Sequence, residues 1–421
     1  MINAKKTILA LLAAGTVLGA AAQGEVEDYR RAFAASGKFT YDKVLGTVAD
    51  VKWNDAGTAF IYRTRTAEGE KYVAVDVAAR SRNEYGTIAK ARAAAGIPEP
   101  QPQRPRGPQR PAKHWMVTDP ENEGGPVKSP DGTQEAFIKN YNIYVRNIAD
   151  GTERRLTDGG LGFYYSCYMS WSPDGTRIAA SKLRRAEKHY VSFVESSPSD
   201  QLQPKLHTME YCKPGDDVDY REPRIVDVAT GTLHAPSTEL FSHQYNLGHP
   251  YWLGDSDKIY FEYNQRGHKV YRLLEYSAAT DTVRPVVEET SDKFVNYSRL
   301  WRRYIRDGKE LLWTSERDNH NHIYLYDVAT GAVKRQITRG EWYVRSIVDV
   351  DEEQGVIYFT ASGMNPKEDP YLVHYYRVGI DEGDPVCLTP EEGEHTAVFS
   401  PDHSLLVDTY SKADTAPVTE L

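Results

Sequence analysis

The 421-residue chain has 3 Cys, 5 Met and 11 Phe, and no run of the roughly 18 apolar residues that a membrane helix needs. Cys167, Cys212 and Cys387 form no C-x-x-C pair, no zinc pattern and no disulfide framework, so stability has to come from packing. No cofactor or metal motif is present. Positive charge is in deficit, with 51 Lys+Arg against 60 Asp+Glu and a net charge of −9, which disfavours a nucleic-acid surface as the main business of the protein. What the chain does have is 29 Tyr, 31 Gly and 23 Pro. Aromatic and β-branched residues suit pleated surfaces, so the composition leans toward strands.

Residues 1–22 read as a signal peptide. Lys5 and Lys6 form a positive n-region, Ile8 to Gly19 is a short apolar run, and Ala20-Ala21-Ala22 offers a small-residue cleavage site. Export to the periplasm or secretion follows, with no membrane anchor. A short N-terminal segment, 23–45, precedes the main body.

The rest, 46–421, is repetitive. Ser-Pro-Asp-Gly-Thr occurs at 129–133 and again at 172–176, and Ser400-Pro401-Asp402-His403-Ser404 is a degenerate third copy. Pro presets φ, Asp caps the turn and Gly takes the positive φ, which is hairpin chemistry. Weaker equivalents follow Trp53, Trp252, Ile305 and Val350. The acidic markers fall at 55, 131, 174, 255, 307, 351 and 402, with intervals of 76, 43, 81, 52, 44 and 51. Four of these fit one unit of about 40–50 residues, the period of a propeller blade. The 81-residue interval has room for two blades. The 76-residue interval holds a Pro/Arg-rich insert at about 97–112, read as an extended arm. A second marker, a Thr-Gly or Asp-Gly turn, recurs at 149–152, 228–232 and 328–332 behind alternating strands such as Ile323-Tyr324-Leu325-Tyr326-Asp327. Four antiparallel strands per unit make an all-β propeller of eight blades, with seven also compatible with the spacing. Helical periodicity is confined to Val26–Phe33 and Gly86–Ala95.

Lys128-Ser129-Pro130-Asp131-Gly132 through Asn142-Ile143-Tyr144-Val145-Arg146 resembles the N-terminal propeller region of the dipeptidyl peptidase IV branch of the prolyl oligopeptidase superfamily. So do Glu316-Arg317-Asp318 through Asp327, Ile357 through Gly363, and Val407-Asp408-Thr409-Tyr410-Ser411. The resemblance implies eight blades, an α/β-hydrolase domain following the propeller, peptide substrates cleaved near their N-termini, and a propeller that assists homodimer formation. A hydrolase of that kind needs Gly-x-Ser-x-Gly, which occurs nowhere in the 421 residues. No catalytic residue is therefore assigned, and the hydrolase domain is expected to be absent. The family's Glu-Glu pair, which binds the substrate amine, should lie between Leu156 and Trp171. That stretch contains no Glu.

Other candidates have blander readings. Glu288-Glu289, Glu352-Glu353 and Glu391-Glu392 sit beside turns and read as solvated loops. His320 and His322 could face one side of a strand but lack a third metal ligand. Phe163-Tyr164-Tyr165 and Tyr375-Tyr376 read as packing between blades, and Asp216-Asp217-Val218-Asp219 as a charged surface loop without calcium-loop spacing. The expected role is a non-catalytic propeller that gates peptides toward a hydrolase domain. The alternative is a free-standing propeller that binds a peptide or protein.

Overall fold

The structure, a computed structural model, describes residues 25–35, 45–100, 125–160 and 162–421. Residues 1–22, which the sequence reads as a signal peptide, and most of the Pro/Arg insert lie outside them. Only two α-helices are present among the described residues, Val26–Ala34 and Ile88–Ala94, close to where helical periodicity predicts them. Everything else regular is antiparallel sheet, apart from a single 3-10 turn at Glu239–Phe241.

The sheets follow one another as meanders. Strands Ala49–Trp53, Ala59–Thr66, Gly69–Asp76 and Ser81–Tyr85 form the first, and sheets over 127–155, 302–336 and 343–387 repeat its order. A sheet over 244–290 carries a fifth short strand, and the last, 394–420, has three. These repeated meanders are the blades of a β-propeller. The 81-residue interval departs from expectation. Strand Arg177–Arg184 pairs directly with Tyr220–Asp227, and the residues between them hold an inserted two-stranded hairpin, Tyr190–Glu195 with Lys205–Glu210. The interval thus holds one interrupted blade instead of two, and the described residues contain seven sheets of blade form. Eight blades are not confirmed among the described residues, because an insertion and a blade consume similar lengths of chain.

The described chain divides into two compact units, residues 1–106 with 391–421, and residues 107–390. In the larger unit the sheet over 244–290 buries both faces, because successive side chains on a strand point to opposite sides. On strand Lys258–Gln265, Ile259, Phe261 and Tyr263 pack with Ala179 and Ile225 of the preceding sheet. Tyr260 packs with Leu311 and Trp313 of the following one. In the smaller unit Trp53, Phe60 and Val73 of the first sheet meet Val407 of the last.

Two polar devices recur at the start of the blades. The first is an indole lock. Trp171 Nε1 donates to the Val127 carbonyl at 2.8 Å, Trp252 Nε1 to Ser170 at 3.2 Å, and Trp53 Nε1 to Val398 at 3.1 Å. Each bond runs from the end of a sheet's inner edge to the first strand of the sheet before it, or of the last sheet in the case of Trp53. The second is the Ser-x-Asp turn. Ser172 Oγ donates to Asp174 Oδ1 at 2.7 Å and accepts from the Arg177 amide at 2.9 Å, and Thr176 N–H donates to Asp174 at 2.9 Å. Ser129/Asp131 and Ser400/Asp402 repeat it. The Thr-Gly turn needs its glycine for a different reason. Gly331 has φ +74°, and a Cβ there would lie 3.1 Å from the Val286 carbonyl of the neighbouring sheet.

The hydroxyl hydrogen bonds hold Asp131 below the usual aspartate range and bring Asp402 to about 2. At Asp174, burial opposes the shift, but the bonds from Ser172 and Thr176 outweigh it. A depressed carboxylate stabilises the fold above its unfolded pKa of about 3.9, and loses that contribution as pH falls through the folded value. The urea midpoint should therefore drop between pH ~4 and ~2, and Asp402→Asn should flatten that part of the profile. Independently, Trp171→Phe strips the Val127 carbonyl of its donor, and Ser172→Ala removes a fully buried hydroxyl that bonds across the turn. Each should lower unfolding free energy by about 1–2 kcal/mol in urea titrations, and unchanged midpoints would refute the role given to these bonds.

Candidate functional site

The inserted hairpin and the loops at its base build a cleft of about 600 Å3 in the larger unit. One wall is Arg185, Ala186, Glu187 and Lys188, where the chain leaves strand Arg177–Arg184, with Glu210 and Cys212, where it returns. The floor loop is Asp217, Val218 and Asp219. The far wall comes from the next sheet, through Tyr245, Asn246, Glu262, Asn264 and Tyr271, with Tyr297 beyond.

Local bonds fix these walls. Asp219 accepts from Arg185 Nη1 at 2.8 Å and from the Ala186 amide at 3.0 Å, which ties the exit of the hairpin to its entrance. Lys188 donates to Glu210 at 2.8 Å, and the Asp216 carboxylate accepts the Lys213 amide at 2.8 Å, closing the Lys-Pro-Gly turn. Glu210 raises the Lys188 pKa through that bond, which keeps the Lys188 ammonium charged. On the opposite wall Glu262 accepts from the Tyr271 hydroxyl and pairs with Arg302. Burial, then the Glu262 charge, push the Tyr271 phenol upward, which keeps it a hydrogen-bond donor. Five carboxylates face the cleft against two cations, Arg185 and Lys188. Glu187 and Asp217 form no ion pair with any described residue. Such a lining favours a cation, and an ammonium group with several N–H donors matches its acceptors.

The stretch from Leu156 to Trp171 is short because it packs tightly. A Cβ on Gly159 would lie 2.4 Å from the Tyr141 carbonyl, and Gly160 and Phe163 exchange backbone bonds of 3.2 and 3.3 Å. Its acidic residue, Asp158, pairs outward with Arg155. Tyr165 is core, Phe163 lies under Lys182, and the Tyr164 hydroxyl accepts from Arg185 Nε at 3.1 Å at the edge of the cleft.

The Glu pairs fare differently from one another. Glu289 is 5% exposed, not solvated, because Trp313, Ser315 and Arg317 donate to it at 2.9, 2.8 and 2.6 Å, while Glu288 turns to Arg272. Glu352 bonds the Arg306 amide at 2.9 Å, and Glu392 pairs with Lys412 at 3.1 Å. None of the three pairs presents two carboxylates to one ligand. His322 is buried with both ring nitrogens engaged, by Thr338 at 3.1 Å and Gly340 at 2.9 Å. No cluster of three or more metal-ligating side chains occurs among the described residues. His395 meets Asp408 at 2.7 Å, but its other nitrogen contacts the Glu391 carbonyl at 2.7 Å, the place a nucleophile would need. Tyr376 is core, stacked on Phe359 at 5.6 Å.

The sequence reading missed Arg185, Glu210, Glu262 and Tyr271. The signal that could have found the site is the Asp216–Asp219 cluster after Lys-Pro-Gly, which the structure puts against the cleft.

Comparison with known proteins agrees with the fold. Residues 112–417 match the family model described as the dipeptidyl peptidase IV (DPP IV) N-terminal region. Dipeptidyl peptidase 4 of Trichophyton tonsurans is 24% identical over 302 residues, covering 65% of this chain and 37% of that protein. Inactive dipeptidyl peptidase 10 of Rattus norvegicus is 23% identical over 284 residues, covering 60% and 35%. The chain thus spans under two-fifths of the length of these relatives. The crystal structure of Porphyromonas gingivalis dipeptidyl peptidase 4 aligns with a TM-score of 0.48 at 17% identity, over 89% of this chain and 50% of that one. With a family model matched over most of its length, the chain belongs to the dipeptidyl peptidase IV N-terminal-region family.

Proposed function

We propose that this chain is the non-catalytic, peptide-selecting propeller of an exported dipeptidyl- or tripeptidyl-type peptidase. Hydrolysis would be carried by an α/β-hydrolase domain that is not among these 421 residues. Family membership supports the peptide class, and the observation that carries the binding role is the acidic cleft. A peptide N-terminus needs close counter-charges and acceptors, and the cleft offers both without the Glu pair expected between Leu156 and Trp171. The apolar run behind Lys5 and Lys6 supports export. The chain alone should not hydrolyse a glycyl-prolyl chromogenic amide above background, and activity blocked by a serine-directed inhibitor would overturn the assignment. In calorimetry a proline-containing tripeptide should bind, with affinity reduced about tenfold, or ~1.4 kcal/mol, when its amine is acetylated or when Glu187→Gln and Asp217→Asn are combined. Equal binding of the acetylated peptide would remove the amine cleft.

The hairpin supports self-association. Val194 and Leu206 are 61% and 71% exposed and stand opposite each other on one face. Val191 opposes the half-exposed Met209 on the other, beside the stacked Phe193–His207 pair. A two-stranded ribbon with both faces uncovered is marginal in water, and a second copy supplies the same apolar pairs. A dimer is the reading adopted. Val194→Asp with Leu206→Asp should shift the sedimentation coefficient from dimer to monomer, and a wild-type monomer at tens of micromolar would refute it.

A further inference from the structure

Arg221, near the start of strand Tyr220–Asp227, reaches to the next sheet. Its Nη1 donates to Asn246 Oδ1 at 3.2 Å and to the Leu247 carbonyl at 3.4 Å, both neutral acceptors and both long for a charged donor. Nε is sealed from solvent and bonds nothing. Nη2 has no partner among the described residues and, unlike Nε, is not sealed. Comparable arginines of the same unit are met by carboxylates. Arg177 has Asp227 and Asp257 at 2.8 and 3.1 Å, Arg284 has Glu275 at 2.7 Å, and Arg317 has Glu289 at 2.6 Å. Asp219 favours the Arg221 charge from nearby, but its oxygens are held by Arg185 and the Ala186 amide, and Arg185 itself adds positive potential. Arg221 therefore stands without a counter-ion, and burial lowers its pKa.

His249 lies within range of the Arg221 charge. The Tyr168 ring stacks on the imidazole with centroids 4.1 Å apart, and Nδ1 is sealed and unbonded. Burial, then the Arg221 charge, hold His249 down at about 4, so it is neutral at ordinary pH. Tyr168 remains 57% exposed, which leaves the group accessible from one side.

We propose that Arg221, His249 and Tyr168 form a subsite for a carboxylate, of the kind carried by a peptide C-terminus or an acidic side chain. A single negative charge balances the one uncompensated guanidinium, and a planar carboxylate suits its geometry better than a phosphate dianion does. Charge balance also couples binding to a proton. A carboxylate beside Arg221 cancels the field that keeps His249 neutral, so His249 takes one proton from solvent and becomes a second donor. Affinity then rises as pH falls from neutral toward 5, because His249 binds a proton more tightly in the complex. It declines once the ligand carboxyl itself protonates, near pH ~3.5.

The test uses the full chain and probes without an amine, so the outcome is independent of the acidic cleft. N-acetylglycine presents a terminal carboxylate, N-acetylaspartamide a side-chain one, and N-acetylglycinamide neither. NMR titration should show saturable binding of at least one of the first two, with the His249 imidazole pKa raised by a unit or more on saturation. The tighter probe identifies the source of the carboxylate. Arg221→Gln should weaken binding at least tenfold, Arg221→Lys should retain part of it, and His249→Phe should leave weaker binding that no longer strengthens as pH falls. The proposal is overturned if N-acetylglycinamide binds as well, if Arg221→Gln binds normally, or if inorganic phosphate displaces the carboxylates at lower concentration. Should Arg221→Gln fail to fold, a wild-type His249 resonance unmoved by either carboxylate has the same effect.

Discussion

The contact on which this architecture depends is the seam between consecutive sheets. A lone four-stranded meander covers neither of its faces, and all its neighbours are other meanders. The apolar clusters supply most of the attraction, but they are slippery, since Val, Ile and Leu side chains tolerate sliding. The tryptophan locks at Trp171, Trp252 and Trp53 remove that freedom. Each places a large ring in the seam and sets its height with one directional bond to a carbonyl on the edge strand beyond. Because that carbonyl is inside the seam, leaving it unbonded costs more than the bond is worth in water, so the lock specifies register more than it adds stability.

The proposed binding groups lie where the seam is interrupted. Strand Arg177–Arg184 leaves its sheet at Arg185, and strand Tyr220–Asp227 enters it two residues before Glu222. The intervening 35 residues must be tied down by side chains, since they have no neighbouring blade to pair with. Asp219, Lys188 and Asp216 do this with charge-assisted bonds, and two of them, Asp219 and Lys188, also line the cleft. The same need explains its sign. Carboxylates are the natural acceptors for loop amides and for Arg185, and more of them are present than local cations can neutralise.

The repeat was legible because its turns are chemically demanding. Ser-Pro-Asp needs each residue for a separate reason, so it survives at 129, 172 and 400, followed by Gly at the first two and by His403 at the third, and marks blade starts directly. The inserted hairpin was not legible as such, because its strands alternate like blade strands and its length imitates a blade. Pairing partners distinguish the two, and pairing across 36 residues, as between Arg184 and Tyr220, leaves no local trace. The site was harder still. Glu262 and Tyr271 meet because they sit on adjacent strands of one sheet, and Arg302 joins them from the following one. Glu289 looked like half of a solvated pair, yet Trp313 and Ser315 on the neighbouring strand make it a buried acceptor. A sequence shows which residues could hold charge, but whether water or a neighbouring strand surrounds that charge is decided by register.

This distinction also separates structural ion pairs from binding groups in a fold built entirely of seams. Where a guanidinium and a carboxylate meet inside a seam, as Arg284 and Glu275 do, each satisfies the other and the pair is closed to ligands. Charge left over at the rim, where a seam opens to solvent, has no such partner and remains available. Glu187 and Asp217 on one side of the loop and Arg221 on the other are leftovers of opposite sign. No ion pair joins them, and Arg185 and Asp219 pair with each other instead. A loop tied by internal pairs such as Arg185–Asp219 and Lys188–Glu210 can in this way leave carboxylates uncompensated in its cleft while a guanidinium beside the next sheet also stays uncompensated.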